Sequence, residues 1–87
     1  MEYRIIAKKT VRRDTKKLPQ AVINFVEKRA IELSRNPLPI GSVPIKARPG
    51  FYRVKAGKYR ILYLVDHKLK IITIYKIGHR KDIYRGL

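Results

Sequence analysis

Residues 51–77 read FYRVKAGKYRILYLVDHKLKIITIYKI, and their spacing predicts a sheet. Three runs rich in Val, Ile, Leu and Tyr cover Phe51 to Lys55, Lys58 to Val65 and Leu69 to Ile77. Turn-forming residues separate them, at Ala56-Gly57 and around Asp66-His67-Lys68, which is the signature of consecutive antiparallel strands. Successive residues of a strand face opposite sides, so Tyr52, Val54, Tyr59 and Ile61 point one way and Arg53, Lys55, Lys58 and Arg60 the other. A symmetric hairpin about Ala56-Gly57 sets Lys55 opposite Lys58 and Arg53 opposite Arg60. Like charges opposed across a hairpin destabilise it. Four cations on one face therefore imply an anionic ligand, and a polyanion such as RNA fits best. The third run is apolar on both sides (Ile71, Ile72, Ile74, Tyr75, Ile77), which predicts an interior strand.

Working outward, residues 37–50 hold four of the five prolines and two glycines and read as an irregular connection. Before them Val22, Val26, Ala30 and Leu33 recur at helical spacing, with Phe25 widening the stripe, while Glu27, Lys28, Glu32 and Arg35 face water. Pro19 suits the first turn of this helix and Asn36-Pro37 ends it. Thr10 is the expected cap of a shorter helix running to Lys17, and Tyr3 to Ala7 the expected first strand. A short tail follows Gly78. The expected fold is α+β: a mostly antiparallel four-stranded sheet with two N-terminal helices packed on one face, in the order β-α-α-β-β-β, as a single domain over residues 1–87.

Composition points the same way. Twenty-two Lys and Arg against six Asp and Glu leave a net charge of +16, a self-repelling balance that calls for an anionic partner. With 45% hydrophobic residues the chain can still build a core, so it is not a disordered basic tail. Cysteine is absent, which excludes disulfides and thiol chemistry. No apolar stretch approaches the roughly 18 residues of a membrane span, and Met1 to Ala7, carrying Glu2 and Arg4, has no signal-peptide core. A soluble cytoplasmic protein is expected.

Few residues can carry chemistry. Two histidines and six dispersed carboxylates make no metal-ligand set, so neither a metal nor another cofactor is expected. Ser34 and Ser42 have no base in sight for a nucleophilic triad. What remains is Arg and Lys interleaved with tyrosine, a set that stabilises a phosphoryl transition state by charge and position. RNA supplies its own nucleophile, the 2′-hydroxyl. Guanidinium stays cationic and offers two parallel donors to two phosphate oxygens. A crowded lysine can act as base, because neighbouring cations lower its pKa.

Residues 51–63, with the Gly-x-Tyr-Arg signature at Gly57 to Arg60, and the later Ile77-Gly78-His79-Arg80-Lys81-Asp82-Ile83-Tyr84-Arg85 resemble the RelE/ParE toxin superfamily. The likeness is in particular to the RelE-type mRNA interferases of prokaryotic toxin–antitoxin systems. The resemblance implies a metal-independent endoribonuclease that cuts messenger RNA in the ribosomal A site by 2′-hydroxyl attack and is blocked by a cognate acidic RelB-like antitoxin. It implies that Arg60 and Arg80 meet the scissile phosphate, that Arg53 stabilises its charge, and that Tyr84 stacks on or orients the substrate. Lys55, Lys58, His79 and Lys81 are candidate RNA contacts around these four, and Lys9, Arg12 and Arg13 candidates for ribosomal RNA. A histidine without partners is weak evidence for acid–base work, so His79 also reads as a structural helper. Tyr52, Tyr59 and Tyr63 alternate toward the apolar face and read as core. A ParE-like member would instead poison DNA gyrase by binding, and a non-catalytic RNA- or ribosome-binding protein would account equally for the charge.

Overall fold

A computed structural model of the chain describes residues 2–85. Its strands are β1 (Arg4–Ala7), β2 (Val43–Pro44), β3 (Phe51–Ala56), β4 (Tyr59–Asp66) and β5 (Ile71–His79), and its helices α1 (Lys9–Thr15) and α2 (Gln20–Arg35). The sheet is five-stranded and mixed, in the order β1-β5-β4-β3-β2, rather than four-stranded. β1 lies parallel to β5, with Ile5 beside Ile72, while the other neighbours are antiparallel. The additional strand comes from the proline-rich connection: Val43 and Pro44 pair with Arg53 and Tyr52. Proline is admissible there because β2 is an edge, where one side needs no ladder donor. The interior position expected of β5 holds, since it lies between β1 and β4.

Both helices pack on one face. Val11, Val26 and Leu33 meet Val54, Ala56, Ile61, Tyr63, Val65, Ile72 and Ile74 in one buried cluster. α1 starts one residue before the expected Thr10, at Lys9, with no side-chain cap. Pairing decides this start, because the Lys8 N–H donates to Ile74 O at 3.2 Å and the chain turns into the helix directly after β1. α2 runs from the residue after Pro19 to the residue before Asn36, as the breakers at both ends require. No described helix is long and apolar enough to cross a membrane.

The expected inward tyrosines are largely core. Tyr63 is completely buried, stacks on Tyr52 with ring centroids 6.0 Å apart, and donates its hydroxyl to Pro37 O at 2.8 Å. Burial pushes its pKa up to about 12 from the ordinary 10.0. Between these values the unfolded tyrosine ionises while the folded one keeps its proton, so stability is lost as pH rises through that window. Chemical unfolding followed from pH 9.5 to 11.5 is expected to show that decline, with a shallower slope in Tyr63→Phe.

The β3–β4 hairpin closes one residue later than expected. Its central pair is Gly57-Lys58, with Ala56 opposite Tyr59, Lys55 opposite Arg60 and Arg53 opposite Leu62. Gly57 has φ +64, and a glycine at the first central position gives a two-residue hairpin the positive φ it needs. The register thus moves by two residues, an even number, and every side chain that stays in the ladder keeps its predicted face, while Lys58 passes from the ladder into the turn.

Candidate functional site

The sheet face opposite the helices is the cationic one. Arg53, Lys55 and Arg60 line a narrow cleft of about 40 Å³ together with Gly41 and Val43. Lys58 sits in the turn above it rather than in a ladder. The Arg60 guanidinium folds back on that turn, Nη1 donating to Gly57 O at 3.1 Å and Tyr59 O at 2.9 Å. Those bonds fix its position and leave its remaining N–H groups free. Arg80 continues the β4–β5 register: Arg60 is opposite Gly78, Tyr59 opposite His79, and the Arg80 N–H donates to Lys58 O at 2.9 Å. Its register position is on the same face as Arg60, and it is exposed. Among the described residues, none of Arg53, Lys55, Lys58, Arg60 and Arg80 has a carboxylate partner; the ion pairs are Arg13–Asp14, Arg29–Glu32, Arg35–Glu2 and Arg85–Asp82. Five cations collected without acids form a strongly anion-attracting surface.

The tail lies across this face. The Asp82 and Ile83 N–H groups both donate to His79 O, at 2.8 and 3.0 Å, turning the chain back over β5. Ile83 becomes completely buried against Gly78, where an added Cβ would stand 3.3 Å from Ile83 Cδ1. Lys76 Nζ donates to Arg85 O at 2.9 Å. The turn brings the Tyr84 ring to 5.7 Å from the Arg53 guanidinium, with Tyr84 43% exposed and its outer face available. Arg53, Arg60, Arg80 and Tyr84 therefore belong to one surface, although they come from three separate segments.

The other sequence candidates sit differently. Lys81 is exposed on the tail beside Arg80. His79 shares the helix-bearing side with Tyr59, their rings edge to face at 5.6 Å, and its Nδ1 accepts the Lys81 N–H at 3.2 Å. Lys9, Arg12 and Arg13 are exposed on α1, which packs on that side too, so the structure does not bring them to the Arg53–Arg60 cleft. No three His, Cys, Asp or Glu side chains among the described residues are grouped to hold a metal ion.

Sequence reading missed three supporting residues. Ile83 and Gly78 hold the tail; a glycine inside a strand is a recognised sign of close approach, and Gly78 was read only as a strand end. Arg29 on α2 donates Nε to Lys55 O at 2.7 Å and pairs with Glu32 at 2.7 Å, tying the helix to the end of β3. Nothing in helical periodicity marks such a contact. Arg29→Met is expected to lower stability by about 1 kcal/mol, which corresponds to roughly 4–8 °C in Tm for a chain of this size. A thermal melt checks it.

Residues 2–84 match the family described as the ParE toxin of the type II toxin–antitoxin system parDE. The chain is a toxin of the RelE/ParE family of type II toxin–antitoxin systems. Toxin RelG of Mycobacterium tuberculosis is 36% identical over 86 residues, covering 98% of this toxin and 99% of the relative. Among solved structures, the RelBE2 toxin–antitoxin complex of Mycobacterium tuberculosis matches with a TM-score of 0.80 at 32% identity, covering 92% of this toxin and 100% of that chain. The archaeal RelE–RelB complex of Pyrococcus horikoshii matches with a TM-score of 0.83 at 28% identity, covering 94% and 99%.

Proposed function

We propose that this toxin, acting as a single domain, is a metal-independent endoribonuclease that cuts messenger RNA in the ribosomal A site. The observation that carries the reading is the acid-free cleft lined by Arg53 and Arg60, with Arg80 at a register position on the same sheet face and the Tyr84 ring beside Arg53. Arg60 and Arg80 grip the non-bridging oxygens of the scissile phosphate, and Arg53 offsets the charge that builds on them. The 2′-oxygen attacks phosphorus as its proton passes to a base, for which Lys55 and Tyr84 are the candidates. The bond to the 5′-oxygen breaks and that oxygen takes up a proton, leaving a 2′,3′-cyclic phosphate and a 5′-hydroxyl. Tyr84 orients the neighbouring base. Lys58 and Lys81 extend the phosphate-attracting surface, and Lys9, Arg12, Arg13 and His79 lie where only outlying RNA would meet them.

Antitoxin complexes among the similar structures support a cognate antitoxin as partner, and the net charge of +16 favours an acidic one. The match to a family described by the name ParE favours a second reading, binding and poisoning of DNA gyrase. Induced expression without a partner separates the two. Arrested protein synthesis with primer-extension stops inside translated frames is the expected result; gyrase-linked DNA breaks with intact messages would establish the second reading instead.

A further inference from the structure

The same face holds a second depression that the phosphate chemistry leaves unused. Between β4 and β5 the register slips: Leu62 is opposite Lys76, but Tyr63 is opposite Ile74, so Tyr75 is an extra residue in a β-bulge. Bulges forfeit ladder pairing and gather beside functional sites, where they re-aim a side chain. Here the bulge sets Tyr75 against Phe51, ring centroids 4.8 Å apart at 70°, outside the core beneath the helices. Both aromatic side chains are only partly buried. Together with the buried Leu62 they line a pocket of about 250 Å³ whose cationic members are Lys8, Arg48 and Lys76.

We propose that this pocket is a nucleobase subsite, in which Phe51 and Tyr75 receive one base of single-stranded RNA and so determine sequence preference; the substrate's identity as RNA rests on the endoribonuclease reading. The volume lies somewhat below the roughly 300–1,000 Å³ of clefts that take drug-sized ligands, which suits one base. Position agrees. Phe51 and Arg53 are two residues apart on the same face of β3, about 7 Å at strand spacing, so a base at Phe51 adjoins a phosphate at Arg53. Aromatic surface for the base and cations for its backbone are the two elements of single-strand recognition. Among the described residues, no acidic side chain pairs with Lys8, Arg48 or Lys76. Lys8 Nζ stands 4.4 Å from the Tyr75 ring centroid, and its flexible stem lets it exchange that ring for a phosphate. An apolar side chain from a protein partner would make no use of these charges, so a nucleotide fits better.

The test uses the full chain and a fluorescein-labelled hexanucleotide of 2′-O-methyl RNA, which cannot be cut, with an abasic residue placed at each position in turn. Anisotropy is expected to show one position whose base removal weakens binding by roughly ten-fold or more, the size of a lost aromatic stack, while the other positions matter less. In Phe51→Leu/Tyr75→Leu the intact oligonucleotide is expected to bind more weakly and the penalty at that position to vanish, whereas Tyr75→Phe keeps both. Circular dichroism confirms that the variants fold. A flat abasic profile, undetectable binding, or an unchanged profile in the double leucine variant would overturn the subsite. Cleavage of translated message by the parent, measured separately, reports on the endoribonuclease reading. A base-dependent, pocket-dependent profile without cleavage would refute that reading alone, and cleavage with a flat profile the subsite alone.

Discussion

Arg80→Ala is expected to slow single-turnover cleavage on saturating programmed ribosomes by about 100- to 1,000-fold, the usual cost of losing one preorganised charge stabiliser. Arg80 sits one residue beyond β5, and its N–H bond to Lys58 O fixes it to the β3–β4 turn, so a rigid sheet aims the guanidinium. No described carboxylate competes for it. Arg80→Lys keeps the charge but loses the planar two-donor fork, and is expected to resemble the alanine variant more than the parent. Lys9→Ala provides the contrast. An exposed lysine on α1 attracts RNA mainly through phosphate charge, so its loss is expected to weaken binding and flatten the salt dependence while leaving the bound-state rate nearly unchanged. Equal bound-state rates for the parent and Arg80→Ala would take Arg80 out of the site and favour a non-catalytic RNA-binding protein.

Ile83→Asp is expected to reduce the same rate on the order of 100-fold through displacement of Tyr84, since small misplacements of positioning groups have effects of that size. Ile83 is completely buried yet lies apart from the cluster beneath the helices, so the cost of burying a carboxylate falls on the tail. The tail is attached by two N–H bonds to His79 O, the Lys81 N–H bond to His79 Nδ1, one lysine–carbonyl bond, the Tyr84 ring beside Arg53 and this side chain. Releasing it is easier than burying the charge. Circular dichroism is expected to change little, and amide exchange at residues 82–85 to accelerate. A folded variant with a released tail and a parental rate would mean that Tyr84 takes no part in catalysis.

The two-residue alternation of Tyr52, Val54, Tyr59 and Ile61 against Arg53, Lys55 and Arg60 was enough to assign faces, because a strand offers only two. That assignment survived a two-residue error in hairpin register for the same reason. The helical stripe ending at Leu33 was legible through its spacing and the prolines on either side. β2 was not, since Val43 and Pro44 carry no alternation and pair only because β3 passes beside them. The parallel placement of β1 was also hidden, because Tyr3 to Ala7 is compatible with either edge and either direction. In the site, the arginines could be read from their positions along strands. The burial of Ile83 on Gly78 and the bulge that turns Tyr75 toward Phe51 depend on contacts between segments distant in sequence, which no local pattern encodes.

The 2′-hydroxyl decides the chemistry proposed for this face. The most direct measurement places a single 2′-deoxynucleotide 5′ to a mapped cleavage point in a message on programmed ribosomes and follows single-turnover cutting beside the all-ribose message. Cutting at that point is expected to disappear while other points persist, with products ending in a 2′,3′-cyclic phosphate and a 5′-hydroxyl. Undiminished cutting at the deoxy-substituted point would contradict attack by the RNA's own hydroxyl, and with it the role assigned to Arg53, Arg60 and Arg80.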